Sequence, residues 1–77
     1  MIVCYILFGA EKKDKIIELC DSIKNKDNTF NYKILTSKDK GKYLLKIFSH
    51  KQTKDQAHKR GMYFVKKMNL GEFYSVK

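Results

Sequence analysis

Residues 2–8 read Ile-Val-Cys-Tyr-Ile-Leu-Phe, an uncharged apolar run closed by Gly9. A bilayer-spanning helix takes about 20 such residues, so this stretch is far too short to be one. Its β-branched and aromatic content reads as a strand buried on both faces. That one element constrains the fold strongly. A strand with no polar side needs a neighbour on each edge and cover on each face, so it belongs in the middle of a sheet.

The rest of the chain supplies the neighbours. Ile16, Leu19, Cys20 and Ile23 fall at i, i+3, i+4 and i+7, which predicts an amphipathic helix over "EKKDKIIELCDSIKN" with acids in its first turns. "KNKDNT" is turn chemistry. "FNYKILTS" and "KYLLKIFS" read as two strands joined by "KDKGK", where Gly41 marks a hairpin. "TKDQAHKRGMYFVKKM" reads as a second helix with Ala57, Gly61, Phe64 and Met68 on one face. Gly61 costs that helix about 1 kcal/mol of propensity, which is tolerable where a strand passes close beneath. "NLG" caps it, and "EFYSVK" is a last short strand.

The order is βαββαβ. With right-handed crossovers, it gives an α+β ferredoxin-like sandwich: a four-stranded antiparallel sheet, order 4-1-3-2, with two helices on one face. All 77 residues form a single domain. In the third strand Tyr43, Leu45 and Ile47 form the expected core set, and Lys42, Leu44, Lys46 and Phe48 face the other way. The first strand alternates Val3, Tyr5 and Leu7 with Ile2, Cys4, Ile6 and Phe8. Leaving either set in water exposes an apolar patch, so a second copy of the chain is the expected cover and a homodimer the expected state.

Charge is the second strong signal. Of the 17 basic residues only Arg60 is not lysine, a ratio that base composition in an AT-rich genome encourages. The distribution says more. Residues 38–67 hold ten Lys or Arg against Asp39 and Asp55, whereas residues 1–37 hold six against five acids. Codon bias enriches lysine everywhere and does not strip acids from one segment, so the asymmetry points to a binding footprint. Lys59 and Lys66 crest the second helix, with Arg60, Tyr63 and Lys67 on one shoulder and Lys54 with His58 on the other. Lys40 and Lys42 lie at the hairpin, and Lys51 sits at the strand-to-helix junction. Lysine meets phosphate as a point charge, and Tyr63 offers a ring for a base. With a single arginine, backbone and shape recognition is expected, not base-specific reading. Because Lys42 and Leu44 occupy the open side of the third strand and the first strand is apolar there, the contacts are expected on the second helix and the hairpin edge.

Chemistry finds little footing. Ser49, His50 and Lys51 stand together at a strand end, but no second acid or base has a supporting spacing. A metal-dependent nuclease on this fold needs a carboxylate at the end of the first strand, where Gly9 and Ala10 stand instead. Cys4, Cys20 and the two histidines show no metal-ligand spacing, and no glycine-rich phosphate loop occurs. Neither an enzyme nor a cofactor or metal site is expected. Cys4 and Cys20 each fall among apolar neighbours and read as buried free thiols. No charged leader with a cleavage pattern is seen, so a cytoplasmic setting away from membranes is expected.

The expected function is therefore a small basic, non-catalytic nucleic-acid-binding protein, with RNA or a ribonucleoprotein ahead of DNA. An accessory protein of a phage or mobile element, inhibiting a host nuclease, toxin or defence complex, fits the size and composition. The rival expectation is a protein–protein module that docks its basic face on an acidic partner.

Overall fold

A computed structural model describes residues 1–77. Strand β1 (Val3–Gly9) passes through a 3₁₀ turn (Ala10–Lys12) into helix α1 (Lys13–Lys26). Strands β2 (Asn31–Thr36) and β3 (Lys42–Phe48) form a hairpin, helix α2 (Lys54–Met62) continues as a π turn (Tyr63–Lys67), and β4 (Glu72–Val76) closes the chain. The sheet order is β2-β3-β1-β4, antiparallel throughout. The fold is thus the ferredoxin-like α+β arrangement, with β1 and β3 at its centre. No helix is long and apolar enough to cross a membrane.

The pattern of each element explains its place. On β1, Cys4, Ile6 and Phe8 are buried, and on β3, Leu45 and Ile47 join them. Ile16 and Cys20 of α1 and Ala57 and Phe64 of α2 complete one cluster with Phe30 and Leu70, on the helical side of the sheet. Tyr43, expected in the core set, is only half-buried: its ring stacks on Phe8 at 5.8 Å and carries Lys13 Nζ 4.9 Å above it.

Local signals set the ends. Asp27 stops α1 by turning its carboxylate to Thr29, whose backbone N–H and hydroxyl donate to Oδ1 at 3.0 and 2.6 Å. Gly41 takes φ +77 in the hairpin, a region that favours glycine. Thr53 opens α2 with a capping box: the Gln56 N–H donates to Thr53 Oγ1 and the Thr53 N–H to Gln56 Oε1.

Two features depart from a simple helix in the second half. The π turn places one extra residue in the last turns, with Met68 N–H donating to the Tyr63 carbonyl. Met68, expected on the buried face, is consequently rotated out to 41% exposure, and Leu70 fills the core beyond Asn69, which takes φ 52. At Gly61 the close approach is real. A Cβ there would lie 2.7 Å from the Phe73 ring and 2.8 Å from Cys4 Sγ, so α2 rests directly on β1 and β4.

Gly61→Ala should therefore lower stability by about 1–3 kcal/mol through overpacking, although the same exchange on an open helix face would stabilise it. A lower urea midpoint at unchanged slope is the expected reading. A raised midpoint would show that Phe73 moves aside freely.

Both cysteines are free and buried. Burial pushes the Cys4 thiol up to about 11, and burial with the Asp21 charge pushes Cys20 up to about 12, from an ordinary 9.0. The folded value exceeds the unfolded one, so this stabilisation is complete below pH 9.0 and is lost as pH rises from there towards the folded values. Urea midpoints should be flat through neutral pH and fall above 9.0, and a thiol reagent should label neither cysteine until the chain unfolds. Rapid labelling of folded protein at neutral pH would contradict the buried placement.

Candidate nucleic-acid interface

Helix α2 begins just after the Phe48 end of β3 and finishes beside the Gly9 end of β1, so it runs the length of the sheet. At 1.5 Å per residue, Lys54 and Lys67 stand about 20 Å apart along it. Lys54, Lys59, Lys66 and Lys67 are exposed, and Tyr63 shows 39% of its surface between them. Asp55 is the only acid on the helix. Lys51 extends the strip at the N-terminal end.

The hairpin lysines lie at the opposite end from Lys51 and Lys54. Lys42 pairs with Gly9 across the sheet, and the Gly41 carbonyl accepts from the Ala10 N–H at 3.0 Å. Lys42 lines a cleft of about 300 Å³ with Lys12 and Asn69, where Glu11 and Glu72 add carboxylates. The positive charge of the hairpin end is therefore locally offset. Lys40 is exposed at the tip beside Asp39. The expected sites thus separate into a lysine strip on α2 with one acid and a mixed-charge cluster at the hairpin. Lys12, on the face of it a first-helix residue, belongs to the second group.

Arg60 is a correction. Expected on an exposed shoulder, it is turned into the protein with its side chain 27% accessible. Its Nη1 donates to Gln52 Oε1 at 2.8 Å, its Nη2 to Asp27 Oδ2 at 3.1 Å, and its guanidinium lies 5.5 Å over the Phe30 ring. Gln52 is itself only 6% exposed and donates its amide to the Ile2 carbonyl at 2.9 Å. The guanidinium is a structural clamp and no longer a free cation. Sequence reading missed Gln52 altogether: it lies in a polar loop with no periodicity, and only the fold shows what it reaches.

The two Thr29 hydrogen bonds chiefly, and Arg60 in addition, hold the Asp27 carboxyl below its ordinary 3.8. A lowered folded value means the contribution is complete above the unfolded pKa and is lost as pH falls through the folded one. Arg60→Ala should cost about 1–3 kcal/mol, because it leaves the buried Gln52 side-chain oxygen without its donor. Thermal melts at neutral pH check this, and an unchanged melting temperature would dissolve the clamp. Charge reversal at Arg60 would test folding and not binding.

The candidate chemistry does not assemble. Ser49 is buried, its hydroxyl accepting from the Lys51 N–H at 3.4 Å, and the adjacent His50 is exposed. His58 stands edge-on to the Phe73 ring at 5.2 Å. No group of three or more His, Cys, Asp or Glu side chains is gathered for a metal.

Comparison with protein-family models, with curated proteins and with solved structures finds no match to this chain.

Proposed function

We propose that this is a non-catalytic nucleic-acid-binding protein that grips the sugar–phosphate backbone through the solvent side of α2. One observation supports this most: the lysines of α2 make no ion pair, Arg60–Asp27 being the single one in the molecule, and Asp55 is the only acid on the helix beside them. A strip about 20 Å long with one acid among its lysines offers phosphates a set of point charges. Lysine without arginine selects for backbone and shape, and Tyr63 adds a ring where a base could stack. RNA is the first substrate to try and DNA the comparison.

Such a protein acts by occupancy. It would cover a strand, or fill the nucleic-acid groove of a host nuclease, toxin or defence complex, as an accessory protein of a phage or mobile element would. A cytoplasmic setting goes with this role and with two unpaired thiols. The second reading, docking on an acidic protein, draws on the same lysines and differs in its competitor.

Neutralising Lys59 and Lys66 to glutamine should weaken binding to random single-stranded RNA across all sequences and flatten the salt dependence, each lost contact removing about 0.7 from the slope of log K against log salt. Neutralising Lys24 and Lys26 in the last turn of α1 is the charge-matched control, since both are exposed and stand on the other helix. Equal loss in both variants would mean that net charge acts without a site. If no RNA or DNA binds at ~0.1 M salt, where screening extends to about 10 Å, the acidic-protein reading replaces this one.

A further inference from the structure

The side of the sheet away from the helices carries a second surface. By cross-strand register, one row holds Leu35, Leu44 and Leu7, the next Lys33, Lys46 and Tyr5, and the next Asn31, Phe48 and Val3. On β4, opposite a β-bulge between Tyr5 and Ile6, Tyr74 follows the helix-facing Phe73 onto this face, where it is 59% exposed. Tyr74 and the hairpin residues Thr36–Asp39 wall a concavity of about 400 Å³ floored by Leu7 and Leu44. Lys38 stands at its rim, and Lys46 Nζ lies 5.3 Å over the Phe48 ring.

We propose that this open sheet face seats the bases of a single-stranded nucleic acid, one base entering the Leu7–Leu44–Tyr74 concavity while Lys33, Lys38 and Lys46 meet the phosphates. The inference rests on the nucleic-acid reading and adds a second, single-strand-specific surface to the α2 strip. Charge complementarity selects the occupant. Apolar rows alternate with a lysine row, and a single strand is the partner that offers flat rings and anions in alternation. Phe48 is already covered by an ammonium, which an arriving base would displace towards the neighbouring phosphate.

A second copy fits this face less well. An isologous contact would bring the face that carries Lys33, Lys42 and Lys46 against the same face of the other copy, with Asp39, Glu72 and Glu11 as the acids at the hairpin end. The apolar β1 that suggested a homodimer is instead interrupted at every second row by cations from β2 and β3.

The test uses the full chain with oligouridylate of about ten nucleotides, and a GC-rich RNA hairpin as the duplex probe. Tyr74→Ala should weaken single-strand binding by about 5- to 150-fold, equivalent to 1–3 kcal/mol of base stacking, and leave duplex binding and melting temperature unchanged. Amide shifts in the wild-type chain should move at Leu7, Leu44 and Tyr74 on adding the single strand. If Tyr74→Ala changes neither affinity while the Lys59 and Lys66 variant weakens both, the α2 reading stands and the sheet-face proposal falls. If neither probe binds at ~0.1 M salt, both fall together. If Tyr74→Ala splits a dimer in sedimentation while nucleic-acid affinity stays constant, a second copy covers the face and the proposal is overturned.

Discussion

Where β1 begins and β3 ends, Arg60 divides its guanidinium between the Gln52 amide oxygen and the Asp27 carboxylate, and the amide nitrogen of Gln52 reaches the Ile2 carbonyl. Four segments meet there: α2 through Arg60, the β3–α2 junction through Gln52, the α1–β2 turn through Asp27, and the start of β1 through Ile2. A chain of this length buries a small core, here a cluster of 11 residues, and has no disulfide to restrain it. A fully partnered polar junction at the open end of that core orients both helices relative to the sheet. Arginine suits the task because its planar fork can satisfy two acceptors while its face rests on Phe30, which a lysine ammonium could not do.

Much of the architecture was legible because it is periodic. The apolar run of β1, the i, i+3, i+4, i+7 spacing on α1 and the glycine of the hairpin are local signals that agree with one another. What the pattern could not show was pairing across distance. Arg60 and Asp27 are 33 residues apart, and nothing local to either predicts their contact. The π turn likewise leaves no periodic mark. It turned Met68 outward and gave its place to Leu70, against the expectation of an unbroken helix.

The candidate interface was legible to the same degree. Residue type and the scarcity of acids located the α2 lysines, because neither depends on tertiary contacts. Whether Lys42 stands beside carboxylates depends on β1 and β4 delivering Glu11 and Glu72 to the hairpin end, which only the assembled sheet decides. Tyr74 alternates with the helix-facing Phe73, but the concavity it walls with the β2–β3 hairpin depends on how the strands assemble.

The π turn has one more consequence. In an unbroken α-helix Lys59 and Lys66, seven positions apart, would align almost along the axis. One additional residue in the turn delays the azimuth of everything after it by an angle on the order of 100°. Lys66 and Lys67, at the end of that turn, are therefore rotated relative to Lys59. The α2 cations thus spread over a broad face of the helix and do not form a single line along its axis.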